Sequence, residues 1–228
     1  GAAVALAVAF HPPAGRPPAA PEPHPTDPGA PAAPGPGPAP TAPTHAAADF
    51  AADAEMAANW PAFRGFRGTS AAAAAPMPVA WDGASGAGVA WKVEVPRPGF
   101  SSAVVWSNRI LVTGSDAEAR EIFCFDADSG ALLWRHAATN IPGTPGTPPK
   151  VSEDTGLAAA TTATDGKRVF AIFATGDLVA CDLEGRRLWA KNFGVPKNPY
   201  GHASSLLTHR DLLLVQLDEP VGGRLLAQ

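Results

Sequence analysis

The side chains best suited to chemistry are two cysteines and six histidines, and their spacing supports none of the familiar sites. Cys124 and Cys181 form no Cys-x-x-Cys pair, which excludes a zinc ribbon or a thioredoxin-type dithiol. The pattern around them puts the two on different repeats and on opposite strand faces, where each is expected to be a small core residue and not half of a disulfide. His11, His24 and His45 sit in or beside a proline-rich stretch, His136 follows a tryptophan, His209 lies at a turn, and no HxxxH or HExxH pair occurs. Asp126-Ala-Asp-Ser-Gly130 starts like a calcium loop. Its sixth position is Ala131 and its twelfth Ala137, where glycine and glutamate are required, so the expected role is an Asp-initiated hairpin turn. Gly201-His202-Ala-Ser-Ser205 puts a base near a hydroxyl. Ser205 recurs, however, as Ser102 and Thr161 in equivalent windows, which marks it as a structural hydroxyl.

Those windows organise the second half of the chain. Ser102–Val112, Thr161–Ala171 and Ser205–Val215 align without gaps, each a hydroxyl residue, an apolar run, a polar pair and a second apolar run. Short apolar runs split by Asn, Asp or Gly are strands joined by tight hairpins. The pattern predicts Ala103–Trp106 paired with Ile110–Thr113, Thr162–Thr164 with Val169–Phe173, and Leu206–Thr208 with Leu212–Gln216. A strand, a turn and a strand bearing Trp follow the first two pairs, as Ile122–Trp134 and Leu178–Trp189. There Asp126 aligns with Asp182, Gly130 with Gly185, and Leu133 with Leu188.

Four antiparallel strands repeating at roughly 45 residues are the pattern of a β-propeller blade. Trp134 and Trp189 are expected to fill the gaps between neighbouring blades, each burying roughly 150–250 Å². Val89–Val95 alternates Val, Trp, Val, Val with Ala, Lys, Glu, and is expected to be an outer strand docked through Trp91. Arg224–Gln228 reads as the third strand of a blade whose tryptophan falls beyond the end of the sequence. The expectation is an all-β domain over 48–228, incomplete at its C-terminus, with about two and a half blades at 97–137, 157–191 and 203–228. The strands at Val89–Val95 and Arg224–Gln228 are expected to be exposed edges.

The first half differs in kind. Gly1–Phe10 is too short to span a bilayer and resembles the end of a signal peptide or membrane anchor, with Ala7-Val8-Ala9 of cleavage-site form. Residues 11–47 hold 14 Pro and 10 Ala and no large apolar side chain, so a disordered, extended linker is expected. Ala46–Ala58 has helix-forming composition, with Asp49 and Asp53 in its early turns. A net charge of −4 gives no field favouring nucleic acid or anionic lipid.

Cys124-Phe-Asp126-Ala-Asp-Ser-Gly130-Ala-Leu-Leu-Trp134 resembles the AxDxxTGxxxW tryptophan-docking repeat of PQQ-like quinoprotein β-propellers, and Ala180–Trp189 keeps its Ala, Asp, Gly and Trp. Asn59-Trp-Pro-Ala-Phe-Arg-Gly-Phe-Arg-Gly68 and Trp81-Asp-Gly are similar to the opening of exported proteins of this kind, which in turn resemble the BamB family. The resemblance implies a ring of about eight blades outside the cytoplasm. It also implies docking roles for Trp91, Trp134, Trp189, Asp126, Asp182, Gly130 and Gly185. A quinone dehydrogenase of this type would need a vicinal Cys pair, a calcium ion held by carboxylates and amides, a catalytic Asp and a Trp floor. No Cys-Cys occurs in the sequence. The leading expectation is a non-catalytic scaffold with no cofactor, meeting protein partners in the cell envelope, with no nucleic-acid partner and membrane contact only through an N-terminal anchor. The alternatives are part of a PQQ- and calcium-dependent alcohol or sugar dehydrogenase, and a sensor domain. Long loops on a rigid ring are where binding concentrates. Pro145 and Lys150 in the 140–156 insertion, and Lys197, Tyr200 and His202 in the next connection, are therefore the candidate binding-face residues.

Overall fold

In a computed structural model that describes residues 49–72 and 79–228, the apolar runs form three antiparallel sheets. The 1–10 and 11–47 segments of the sequence reading lie outside the described residues. Strands β1 (Val104–Trp106), β2 (Arg109–Ser115), β3 (Arg120–Asp126) and β4 (Leu132–Ala137) make the first sheet, in that order. The second repeats the plan with β5 (Ala163–Thr164), β6 (Arg168–Ile172), β7 (Asp177–Asp182) and β8 (Arg187–Asn192). The third holds β9 (Leu207–His209), β10 (Leu212–Leu217) and β11 (Arg224–Ala227). Val104 opposite Leu111, Thr164 opposite Val169 and Thr208 opposite Leu213 give the register of the inner hairpins. Both four-stranded sheets shift register at one equivalent place, Cys124/Phe125 and Ala180/Cys181.

The core lies between sheets. Side chains alternate across a strand, so β6 and the residue after it send Val169, Ala171 and Phe173 into the first gap and Phe170 and Ile172 into the second. Val104, Leu111, Ile122 and Cys124 meet the first set; Leu206, Leu213 and Val215 meet the second. The cysteines are core residues, as expected. Opposite faces of equivalent strands in adjacent sheets look into the same gap, and Cys124 and Cys181 share one cluster. Both are free and buried, and burial pushes each thiol up to about 12.

The window hydroxyls staple the inner strands. Ser102 N–H donates to Thr161 Oγ1 at 3.0 Å, and Thr161 N–H to Ser205 Oγ at 3.2 Å. The opening motif threads the same edge: Trp60 exchanges two 2.9 Å backbone hydrogen bonds with Val105, and Pro61 O accepts from Thr164 N–H.

Two expected elements differ. The helix is only α1, Asp53–Ala57. Ala51 N–H is captured by Asp165 O and its methyl packs on Gly166 and Trp106, which holds the chain extended before Asp53. Val89–Val95 forms no ladder with another strand among the described residues. Trp91, Val93 and Val95 instead lie face-down on Ile110, Val112, Phe123 and Phe125 of the first sheet.

Candidate functional site

Two turns receive indoles. Gly130 (φ 72) and Gly185 (φ 80) occupy left-handed positions that follow an aspartate, and a Cβ on either would stand 2.7 Å from the ring of Trp91 or Trp134 respectively. Trp91 Nε1 donates to Ala127 O and Trp134 Nε1 to Leu183 O, both at 2.9 Å. The carboxylates of Asp126 and Asp182 hold these turns by accepting from Asp128, Ser129, Glu184 and Arg186. Asp126 is kept below the usual carboxylate range, first by the Ser129 hydroxyl. Trp189 is different: it leans on Phe170, 6.0 Å between centroids, and stays 36% exposed.

A second repeated device escaped the sequence reading. Glu121 and Asp177 open β3 and β7, each five residues before the turn aspartate, and both are buried. Arg97 Nε donates to Glu121 at 2.6 Å and also pairs with Asp116. Arg120 reaches across the first gap to Asp177 at 2.9 Å. Asp177 further accepts from Thr144 Oγ1, Thr175 Oγ1 and Asn192 Nδ2 at 2.6–2.7 Å, so its desolvated charge is met on all sides. The sequence signal was the acid–x4–Asp spacing preceding each turn.

These struts anchor the inter-blade connectors. Thr144 ties the 140–156 insertion to Asp177, and Ile141 is buried beneath it. Ser152 N–H donates to Pro199 O at 2.7 Å, joining the insertion to the next connector. That connector grips the β10–β11 hairpin through Lys197 N–H to Glu219, Asn198 Nδ2 to Asp218 O, and a Ser204–Asp218 pair. The Ser204 hydroxyl, with Gln216, holds the Asp218 carboxyl below its ordinary range. Of the candidate binding-face residues, Lys150, Lys197 and Tyr200 are exposed and Pro145 is half-buried.

His202 is not on that face. It is 6% exposed, and its Nε2 donates to Gly194 O at 2.9 Å. Burial lowers its pKa. Where the connectors reach the inner strands, Phe63, Phe100, Ser102, Thr161, Ser205 and Gln216 help line a cleft of about 510 Å³.

A family model described as outer membrane protein assembly factor BamB matches residues 61–216. The chain belongs to this family. No curated protein sequence matches it. Quinohemoprotein alcohol dehydrogenase from Comamonas testosteroni is similar over 75% of this chain and 25% of its own, at 18% identity and a TM-score of 0.55. The corresponding enzyme from Pseudomonas putida HK5 is similar over 77% and 25%, at 15% identity and 0.53. BamB from Moraxella catarrhalis aligns over 55% and 36%, at 21% identity and 0.40. The chain thus spans about a quarter to a third of these structures. The two dehydrogenase alignments establish the shared fold, and the three sheets are an arc of a PQQ-like, BamB-like β-propeller.

The quinone centre of the fold's oxidising members would need calcium ligands. The lining of this cleft offers hydroxyls and an amide but no carboxylate, and among the described residues no three His, Cys, Asp or Glu side chains gather around a point. Calcium takes six to eight oxygens, carboxylates among them. The described residues do not fit such a centre, and no reaction step is assigned to them.

Proposed function

We propose that this BamB-like arc belongs to a non-catalytic scaffold, exported to the cell envelope, whose connector face docks a protein partner. The observation that carries the reading is the contrast within that face. Its backbone is tied down through Asp177, Pro199, Asp218 and Glu219, while Lys150, Lys197 and the 55%-exposed Tyr200 project from it. A rigid base with protruding aromatic and cationic side chains loses little entropy on binding, and aromatic residues often anchor interfaces.

The test is site-specific photo-crosslinking from position 200 in cells, followed by fractionation. The expected result is a discrete protein adduct in the envelope fraction, lost in Lys197→Glu and Lys150→Glu variants. Dye-linked alcohol or sugar oxidation by the protein supplied with PQQ and calcium would overturn the reading, as would adducts confined to the cytoplasm.

A further inference from the structure

We propose that the protein binds a small aromatic carboxylic acid in a cavity between the segment 50–67 and the inner hairpin turns of the second and third sheets. The repeat explains why the cavity exists. Counted from the aligned hydroxyls Ser102, Thr161 and Ser205, the fifth place of each window holds Trp106, Asp165 or His209. Trp106 closes the first gap at this end. It is 3% exposed, its ring edge lies against Gly166, and Ala51, Met56 and Phe66 pack around it. The equivalent residue at the second gap is Asp165, and it is drawn back into its own turn. Its carboxylate accepts from the N–H groups of Lys167 and Arg168 at 2.9 and 2.7 Å and from Arg168 Nε at 2.6 Å. Among the described residues nothing replaces the indole, and a cavity of about 210 Å³ remains.

Its walls come from elements already in place. Ala51, Met56 and Phe66, which hold Trp106 on one side, line this cavity on the other, joined by Phe50 and Pro61. The β9–β10 turn closes it from the third sheet. Pockets for drug-sized ligands run about 300–1,000 Å³, so the occupant here is small, a ring system with a short arm. The equivalent place in the first gap already takes an aromatic ring, and flat apolar walls suit one.

Charge selects the arm. Arg67, His209 and Arg210 stand around the cavity, with Asp53 and Asp165 as its acids. Both acids are answered within the fold: Asp53 accepts from Arg67 Nη2 at 2.8 Å, and Asp165 is held by Arg168. The Arg67 and Asp53 side chains are 68% and 74% exposed, so their pair is weak and leaves the guanidinium open to a second acceptor. Arg67 also lies over the Phe66 ring, 4.9 Å from its centroid, which sets it at the junction of apolar wall and rim. A carboxylate on an aromatic body is met there by two guanidiniums, whose forked donors match it. This site lies at the opposite ends of the strands from the connectors, and its occupancy is independent of what docks on them.

The test is titration of the 228-residue chain with indole-3-acetate, followed by backbone amide shifts in NMR spectra. Two controls separate ring from charge: indole-3-acetamide keeps the ring and is neutral, and acetate keeps the charge and has no ring. Indole-3-acetate is expected to give saturable shifts at Ala51, Thr208 and Arg210 and to bind about tenfold more tightly than indole-3-acetamide, with acetate not saturating. Arg210 is exposed, so Arg210→Gln spares the core. That variant is expected to remove most of the tenfold preference and leave the affinity for indole-3-acetamide unchanged. No saturable shift up to the solubility limit of indole-3-acetate would overturn the proposal. So would equal affinity for acid and neutral analogue, acetate binding as tightly as indole-3-acetate, or a preference indifferent to Arg210→Gln.

Discussion

The gap between the first and second sheets and the gap between the second and third are built from the same repeat but finished differently. In the first, Trp134 lies over Gly185 with its Nε1 bonded to Leu183 O, and Arg120 spans to the buried Asp177. In the second, the equivalent ring, Trp189, leans on Phe170 at the edge of a cleft of about 400 Å³ that also reaches Leu212 and Leu213. The apolar floors of both gaps are closed. An indole thus contributes according to the turn it meets and not according to its own area. Trp134→Ala is expected to cost about 3–5 kcal/mol, while Trp189→Ala is expected to cost less, since its ring is already 36% exposed and holds no turn carbonyl among the described residues. Equal urea midpoints for the two variants would break the comparison.

The strut across the first gap should rank next. Asp177→Ala leaves the Arg120 guanidinium, 14% exposed, without its counter-charge, along with two hydroxyls and an amide that lose an acceptor. Stranding one member of a buried pair costs about 3 kcal/mol or more. Thr144→Val, which removes only the insertion's tether, is expected to cost about 1 kcal/mol and to raise amide exchange across 140–156 while β7 stays protected. Exchange rising in both places together would show that connector and strand are a single cooperative unit.

The docking glycines give a smaller and cleaner contrast. Gly185→Ala forces a Cβ to 2.7 Å from the Trp134 ring at φ 80, whereas Gly86→Ala, at φ 79, meets none of the described residues. Both carry the left-handed backbone penalty, roughly 1 kcal/mol. Only Gly185→Ala must also displace an indole, so its thermal midpoint is expected to fall further. Matching midpoints would mean that Trp134 yields without loss.

Much of this was legible from residues. Two-residue periodicity and hairpin turn chemistry placed the inner strand pairs within about two residues, because a half-buried strand cannot slip by one without exposing its core face. The gap-free alignment of Ser102, Thr161 and Ser205 marked a repeated structural hydroxyl, which the structure shows bonding one inner strand to the next. What escaped had physical reasons. The turn at Asp82–Gly86 does not align with the other two, since one extra residue before Trp91 breaks the spacing kept by Gly130–Trp134. Asp177 leaves no local signal, because its partners Arg120, Thr144 and Asn192 are far away in sequence. His202 seemed exposed because it sits in a proline- and glycine-rich connector, and burial of one residue in a loop leaves no periodic trace.

The histidines extend the comparison to pH. His136 lies at the first gap, 3.0 Å from Gly185 O, and His202 lies under the second connector; burial lowers both below the ordinary 6.5. A histidine whose folded-state pKa is depressed takes its proton more readily when unfolded. Stability therefore rises with pH through the window just below 6.5 and is lost on acidification through it. The carboxylates of Asp218 and Glu219 near His202 favour the charged ring and offset part of the burial. Urea midpoints measured between pH 7 and 5 are expected to fall for the wild type, and the fall is expected to shrink in His202→Gln more than in His136→Gln, because His202 is the more buried ring. An unchanged pH slope in His202→Gln would mean that its connector opens before the ring is protonated, and the second gap would then be the softer of the two for a reason separate from its exposed tryptophan.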